Sequence, residues 1–103
     1  MGKKYFIYNI WEKQLICRTY GLMRKRLHKD CAYGGIEEVA LWAIERGLVY
    51  RATPNYYFSE DGAEEAIQMF QGEERNIIMA QLHQFGMEFP DGGVNYGNNT
   101  NTF

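Results

Sequence analysis

The sequence predicts a mainly α-helical domain with one small β-hairpin, and three observations lead to this prediction. Apolar residues recur at helical spacing in several segments between residues 22 and 85. Residues 48–58 have the composition of two short strands around a turn. With 103 residues, 46% of them hydrophobic, the chain can bury one core without disulfides. We therefore expect one domain over residues 1–88 and a flexible tail over residues 89–103.

The first 20 residues are compatible with two structures. Asn9 and Glu12 have the three-residue spacing of a helix N-cap and its partner, which predicts a helix over residues 10–20 that ends at the following glycine. The alternative is a hairpin that pairs residues 5–10 with residues 15–20, since both segments are rich in aromatic and β-branched side chains. We favour the helix.

Two more helices are expected in the first half of the chain. The second helix covers residues 22–31 and has a thin apolar edge, and a Tyr-Gly-Gly turn follows it. The third helix, residues 36–46, is the clearest element because its apolar residues form one stripe at helical spacing, and Gly47 is a typical stop. That stripe, which should face the core, consists of Ile36, Val39, Ala40, Ala43 and Ile44.

The second half of the chain is predicted to form a hairpin and two helices. Residues 48–58 make the hairpin. Ser59 is a typical N-cap for the next helix, residues 60–70, whose first turn carries the acidic side chains that a helix dipole favours. A last helix covers residues 73–85, and Gly72 kinks the chain or separates the two helices.

Two stretches of this sequence carry a resemblance to a known family. Residues 43–49, Ala-Ile-Glu-Arg-Gly-Leu-Val, close a helix and enter a strand, and residues 56–62, Tyr-Tyr-Phe-Ser-Glu-Asp-Gly, close a hairpin and open a helix. Both resemble phrases of winged helix-turn-helix regulators, as does the order of three helices, hairpin and helix over residues 22–70. The resemblance implies a winged-helix-like domain with C-terminal helices, whose third helix reads base edges in the major groove of DNA.

The third helix departs from the family's pattern on its outward face. A face that reads DNA needs side chains that meet base edges and phosphates, whereas phosphates repel carboxylates. A Trp and a Leu flanked by acids are more typical of a protein contact. The alternative is that Trp42 packs beneath the tail or the last helix. The outward residues on a helical wheel, and thus the candidate protein interface, are Glu37, Glu38, Leu41, Trp42 and Glu45.

The net charge of −2 conceals a strongly uneven distribution. Residues 1–33 carry a charge of +6 and the rest of the chain −8. Because fields act within a Debye length of about 8 Å, this separation matters locally. The alternative to a phosphate site is a solvated basic helix that pairs with the acidic half, within the chain or across a dimer. The candidate contacts to the DNA backbone are Arg24, Lys25, Arg26 and Lys29 in the second helix and Arg51 in the wing.

Enzymatic and metal chemistry is not expected. His28, Asp30 and Cys31 lie close in sequence but lack the paired spacing of zinc ligands, and spacing alone is weak support for a Cys–His nucleophile. We predict no catalytic residues, no metal and no cofactor. Two cysteines, the lack of a secretory pattern and the lack of a membrane-length apolar run predict reduced thiols in a cytoplasmic protein that does not bind membranes.

Two functional hypotheses follow. The first is a small DNA-binding transcription regulator, a homodimer joined through residues 73–85, that contacts phosphates through the second helix and the wing. The second is a protein-binding module, such as a phage- or plasmid-encoded inhibitor of a host nucleic-acid-handling or defence complex, similar in role to anti-CRISPR proteins. In that case the acidic third helix and Trp42 make the contact.

Overall fold

The computed structural model describes residues 2–32 and 37–88, which form one four-stranded antiparallel sheet with two helices on each face. The Tyr-Gly-Gly turn and the predicted tail lie outside these residues. The strands are β1 Tyr5–Asn9, β2 Gln14–Arg18, β3 Tyr50–Ala52 and β4 Asn55–Ser59. The helices are α1 Tyr20–Asp30, α2 Glu37–Glu45, α3 Ala63–Met69 and α4 Gly72–Gln84, and a 3-10 turn over Glu60–Gly62 precedes α3.

The predicted fold class, a mainly α winged helix, is wrong. The fold is α+β: the chain opens with a hairpin, and the strand order across the sheet is β2-β1-β4-β3. Both central strands are antiparallel to their neighbours, and β1 pairs directly with β4 although some 50 residues separate them in sequence. The predicted wing is therefore half of a larger sheet that the N-terminal hairpin completes.

The predicted helix over residues 10–20 is also wrong, and the hairpin alternative is present. Asn9 does cap two backbone N–H groups, since its Oδ1 accepts from Trp11 and Glu12 at 2.9 Å each. The cap opens a four-residue turn instead of a helix. Lys13 adopts a φ of 53°, and the chain then reverses to pair Asn9 with Gln14 and Tyr5 with Arg18.

The physical reason is the burial of β1 on both faces. Tyr5, Phe6, Ile7 and Tyr8 are each at most 5% exposed. Such a run has neither the alternation of a half-buried strand nor the period of a helix, as is usual for strands covered on both sides. Adjacent side chains of β1 enter different cores, and the partner strand β4 does the same.

One core lies between the sheet and helices α1 and α2. Met23 and Leu27 of α1 and Ala40 and Ile44 of α2 are fully buried there. Their spacing of four residues places each pair on one side of its helix. They pack against the odd-numbered strand residues Tyr5, Ile7 and Tyr57.

The second core lies between the opposite face of the sheet and helices α3 and α4. Ile78 and Leu82 of α4 are fully buried against it, as are Ala63 and Ala66 of α3. The strand residues on this side include Phe6, Tyr8, Leu15, Tyr56 and Phe58. Among the described residues α4 is the longest helix, with 13 residues. None of the described helices has the length and apolar content that a membrane span needs.

The predictions for the second half of the chain are largely confirmed. The hairpin forms as β3 and β4, and Ser59 caps the following turn by accepting from the Asp61 N–H at 3.2 Å. Gly47 ends α2 with a φ of +81°, and a Cβ on Gly62 would lie 3.0 Å from the Gly47 carbonyl oxygen. The two helices are separate: α3 ends at Met69, and Gly72, with a φ of +62°, is the first residue of α4.

Candidate functional site

Helix α1 presents one face made of basic side chains to solvent. Thr19 caps the helix by accepting from the Leu22 N–H, and Met23 and Leu27 hold it on the sheet. At about 100° per residue, Lys25 lies opposite the buried Met23–Leu27 line, whereas Arg26 lies roughly 80° from it and borders the sheet. We call the exposed residues on this part of the helix the basic face: Leu22, Lys25, Arg26 and Lys29.

The lysines and the arginine of the basic face form no ion pair with a carboxylate in the part of the chain that the structure describes. No carboxylate there lies within 4.0 Å of Lys25, Arg26 or Lys29. Asp30, the one acid of α1, points back to the sheet, where the Tyr57 hydroxyl and Asn55 Nδ2 donate to it. Burial and this carboxylate raise the pKa of Tyr57 well above its usual range.

Arg24 and His28 of α1 contact α2 instead. Glu37 in the first turn of α2 lies 3.4 Å from Arg24 Nε and 2.6 Å from His28 Nδ1. The hydrogen bond from His28, with support from Arg24, lowers the pKa of Glu37. A residue predicted for the DNA site and a residue predicted for the protein interface thus pair with each other.

Arg51 does not join the basic face. It lies on β3 opposite Tyr56 and on the same side of the sheet, with its guanidinium 5.9 Å from the centre of that ring. Its Nε donates to Thr53 Oγ1 at 3.1 Å. Because Tyr56 belongs to the α3/α4 core, Arg51 is on the face of the sheet opposite to α1.

Helix α2 exposes an apolar patch. Val39 is 63% and Trp42 55% exposed. The Arg46 guanidinium lies 4.5 Å from the centre of the Trp42 ring and also donates to the Trp42 carbonyl at 3.1 Å. With Glu38, which is exposed one turn before Trp42, these residues form what we call the α2 patch.

The predicted orientation of α2 was wrong in its details. Val39, placed in the core stripe, is outside, whereas Leu41, placed on the outward face, packs against the α1/α2 core. At about 100° per residue, Leu41 lies roughly 80° from the centre of the buried Ala40–Ile44 line and Val39 roughly 120°. Glu45 also turns toward the fold, where it accepts from the Tyr5 hydroxyl at 2.7 Å.

Neither a candidate metal site nor a thiol of lowered pKa occurs among the described residues. No three of their His, Cys, Asp and Glu side chains come together as a metal site. Cys17 is half-buried and Cys31 buried, and burial raises the pKa of both thiols, which disfavours the reactive thiolate. His28, the candidate base for Cys31, is hydrogen-bonded to Glu37 instead.

Sequence reasoning missed several residues of these surfaces. Leu22 was predicted to lie on the thin apolar edge of its helix, but its spacing of three and four residues from Lys25 and Arg26 places it with them. Arg18 and Tyr20 were predicted to lie in a helix over residues 10–20. In the structure Arg18 ends β2, Tyr20 begins α1, and both line one cleft. No protein-family model, curated protein or solved structure matches this chain.

Proposed function

We propose that this is a non-enzymatic binding protein that holds the phosphate backbone of duplex DNA against the basic face of α1. The observation that carries the proposal is the local excess of charge. Lys25, Arg26 and Lys29 share one exposed helix face without a carboxylate within 4.0 Å among the described residues, in a chain of net charge −2.

The spacing of these cations supports an external anion as their partner. Lys29 lies four residues after Lys25 and three after Arg26, so their side chains are neighbours on the helix surface. Like charges at this spacing destabilise a helix, and a row of phosphates would offset the repulsion. Contacts of this kind position a protein on DNA without reading its sequence.

Binding to a random-sequence duplex is expected to weaken steeply with salt. Each phosphate contact contributes a slope of about −0.9 to the plot of log affinity against log salt, so three contacts give roughly −2.7. Fluorescence anisotropy with a labelled duplex between about 50 and 200 mM salt measures this slope. If no complex forms at the lowest salt, the proposal fails.

The α2 patch favours a second candidate function, docking of a protein. Trp and Arg are the residues most often found at the energetic centre of interfaces, and here Trp42 is exposed with Arg46 stacked on it. The dimer predicted through residues 73–85 is less favoured, because Ile78 and Leu82 of α4 are buried against the sheet and are therefore not open to a second copy.

We propose a second copy of this chain as the occupant of the α2 patch. Glu38 precedes Trp42 by four residues and Arg46 follows it by four, so all three lie along one ridge of the helix. When two copies cross about a two-fold axis at Trp42, Glu38 of each chain meets Arg46 of the other. An inhibitor of a host complex would use the same patch, and that hypothesis stays a prediction.

Charge exchange tests this pairing. Glu38→Arg and Arg46→Glu are each expected to give the 12.1 kDa monomer in light scattering, and the double variant is expected to restore a dimer. Trp42→Ala should be monomeric while its circular dichroism stays unchanged. A wild-type protein that is monomeric at every concentration rules out the dimer and leaves a heterologous partner as the occupant.

A further inference from the structure

Two clefts flank the start of α1, and Tyr20 lines both of them. The first, of about 350 Å³, lies where β1 begins and β2 ends, and its lining includes Lys3, Lys4 and Arg18. The second, of about 570 Å³, lies between α1 and the start of α2, and its lining includes Arg24 and Lys25. Tyr20 stands between the two clefts as a shared lining residue, and we call the two clefts together the track.

The Tyr20 ring is held in place while part of it stays open to solvent. It is 40% exposed, and its centre lies 5.5 Å from that of the Tyr5 ring at an interplanar angle of 59°. Tyr5 is itself fixed, since it is buried and its hydroxyl donates to Glu45. An aromatic ring supported in this way is a platform on which another flat ring can stack.

Some cations of the track pair with a carboxylate and others do not. Lys3 pairs with Asp61 at 2.8 Å, and Glu37 holds Arg24. In contrast, no carboxylate of the described residues lies within 4.0 Å of the side-chain nitrogens of Lys4, Arg18 or Lys25. The guanidinium of Arg18 is positioned by a 2.9 Å hydrogen bond to the Cys17 carbonyl.

We propose that this track binds a short stretch of single-stranded nucleic acid, with one base stacked on Tyr20 and phosphates beside Lys4 and Arg18 on one side and Lys25 on the other. Cations that follow the backbone, interrupted by an exposed aromatic ring, are the recurring features of single-strand sites. A base within a duplex is covered on both sides by its neighbours, so only an unpaired base can reach Tyr20. The inference rests on the proposed function and names a second class of nucleic acid for the same basic helix.

Anisotropy with labelled oligo(dT) and oligo(U) of roughly 15 nucleotides tests the proposal. We expect wild-type binding and a loss of roughly 5- to 150-fold in Tyr20→Leu, the range measured for loss of a stacked base. Tyr20→Phe, which keeps the ring, should bind like wild type. Arg18→Gln should weaken binding, whereas Lys13→Gln, which removes a cation in the turn between β1 and β2, should leave it unchanged.

An abasic oligonucleotide of the same length separates stacking from charge without altering the protein. It should bind more weakly than oligo(dT) and show no further loss in Tyr20→Leu. Equal oligo(dT) affinity of wild type and Tyr20→Leu overturns the inference, as does an absence of single-strand binding. The duplex proposal has a separate outcome. It stands if duplex binding persists after either of these results, and it fails, while the single-strand inference stands, if the protein binds single strands but no duplex.

Discussion

Replacing Lys25, Arg26 and Lys29 together by glutamine is expected to weaken duplex binding by roughly a hundredfold. If each charge-assisted contact to a phosphate contributes about 1 kcal/mol, removal of three contacts costs about 3 kcal/mol, and every 1.4 kcal/mol is tenfold in affinity. The salt slope should fall by about one for each contact that is lost. The three side chains are exposed and form no ion pair with other described residues, so the free energy of unfolding should change little.

Single variants provide the matched control for this experiment. Lys25→Gln and Lys13→Gln each remove one exposed lysine and alter the net charge equally, but Lys13 lies in the β1–β2 turn, 3.7 Å from Glu74. We expect weaker binding only for the Lys25 variant. Equal losses in both would mean that total charge governs binding, and the basic face would then have no special role.

Truncating either of two adjacent residues of β1 is expected to destabilise the protein severely. Phe6→Ala should lower the free energy of unfolding by about 3–5 kcal/mol and Ile7→Ala by about 2–5 kcal/mol, the usual costs of such cavities. Phe6 is 0% exposed against α3 and α4, and Ile7 is 1% exposed against α1 and α2. Each loss is a large part of a typical total stability of 5–15 kcal/mol.

Urea unfolding followed by circular dichroism measures both costs as shifts of the midpoint at constant slope. Trp11→Ala is the control, because Trp11 is 73% exposed in the turn and its removal should alter stability by less than about 0.5 kcal/mol. A mainly α fold would leave the N-terminal segment at the margin of the molecule. Small effects for both Phe6→Ala and Ile7→Ala would therefore contradict a sheet with β1 at its centre.

Sequence signals predicted the structure correctly where residues close together in the chain determine it. The cap at Ser59 and the break at Gly72 are determined by neighbours within a few residues. The apolar spacing of Met23 and Leu27, and of Ala40 and Ile44, likewise gave the inward side of α1 and α2. The basic face could be predicted for the same reason, since Lys25, Arg26 and Lys29 follow from the helical repeat once the inward side is known.

The predictions differ from the structure where contacts between residues far apart in sequence determine the conformation or the burial. An Asn cap is compatible with a helix and with a turn, and only the pairing of β1 with β4, more than 40 residues away, makes Tyr5–Asn9 a central strand. The predicted stripe of α2 included Val39 and left out Leu41, and the packing of α2 against its neighbours buries Leu41 instead. Arg51 was grouped with α1 because the side of the sheet on which a strand residue projects depends on register.

The sequence by itself determined which segments of this protein form helices after residue 20, where the hairpin at residues 50–59 turns, and that positive charge is concentrated in the first third. Only the tertiary structure decided that the chain folds as a sheet covered on both faces and that Glu37 pairs with Arg24. It also decided that Lys25, Arg26 and Lys29 have no carboxylate of the described residues within 4.0 Å. The reason is the range of the forces. Caps and helical repeats act within a few residues, whereas strand pairing and ion pairs join groups that only folding brings together.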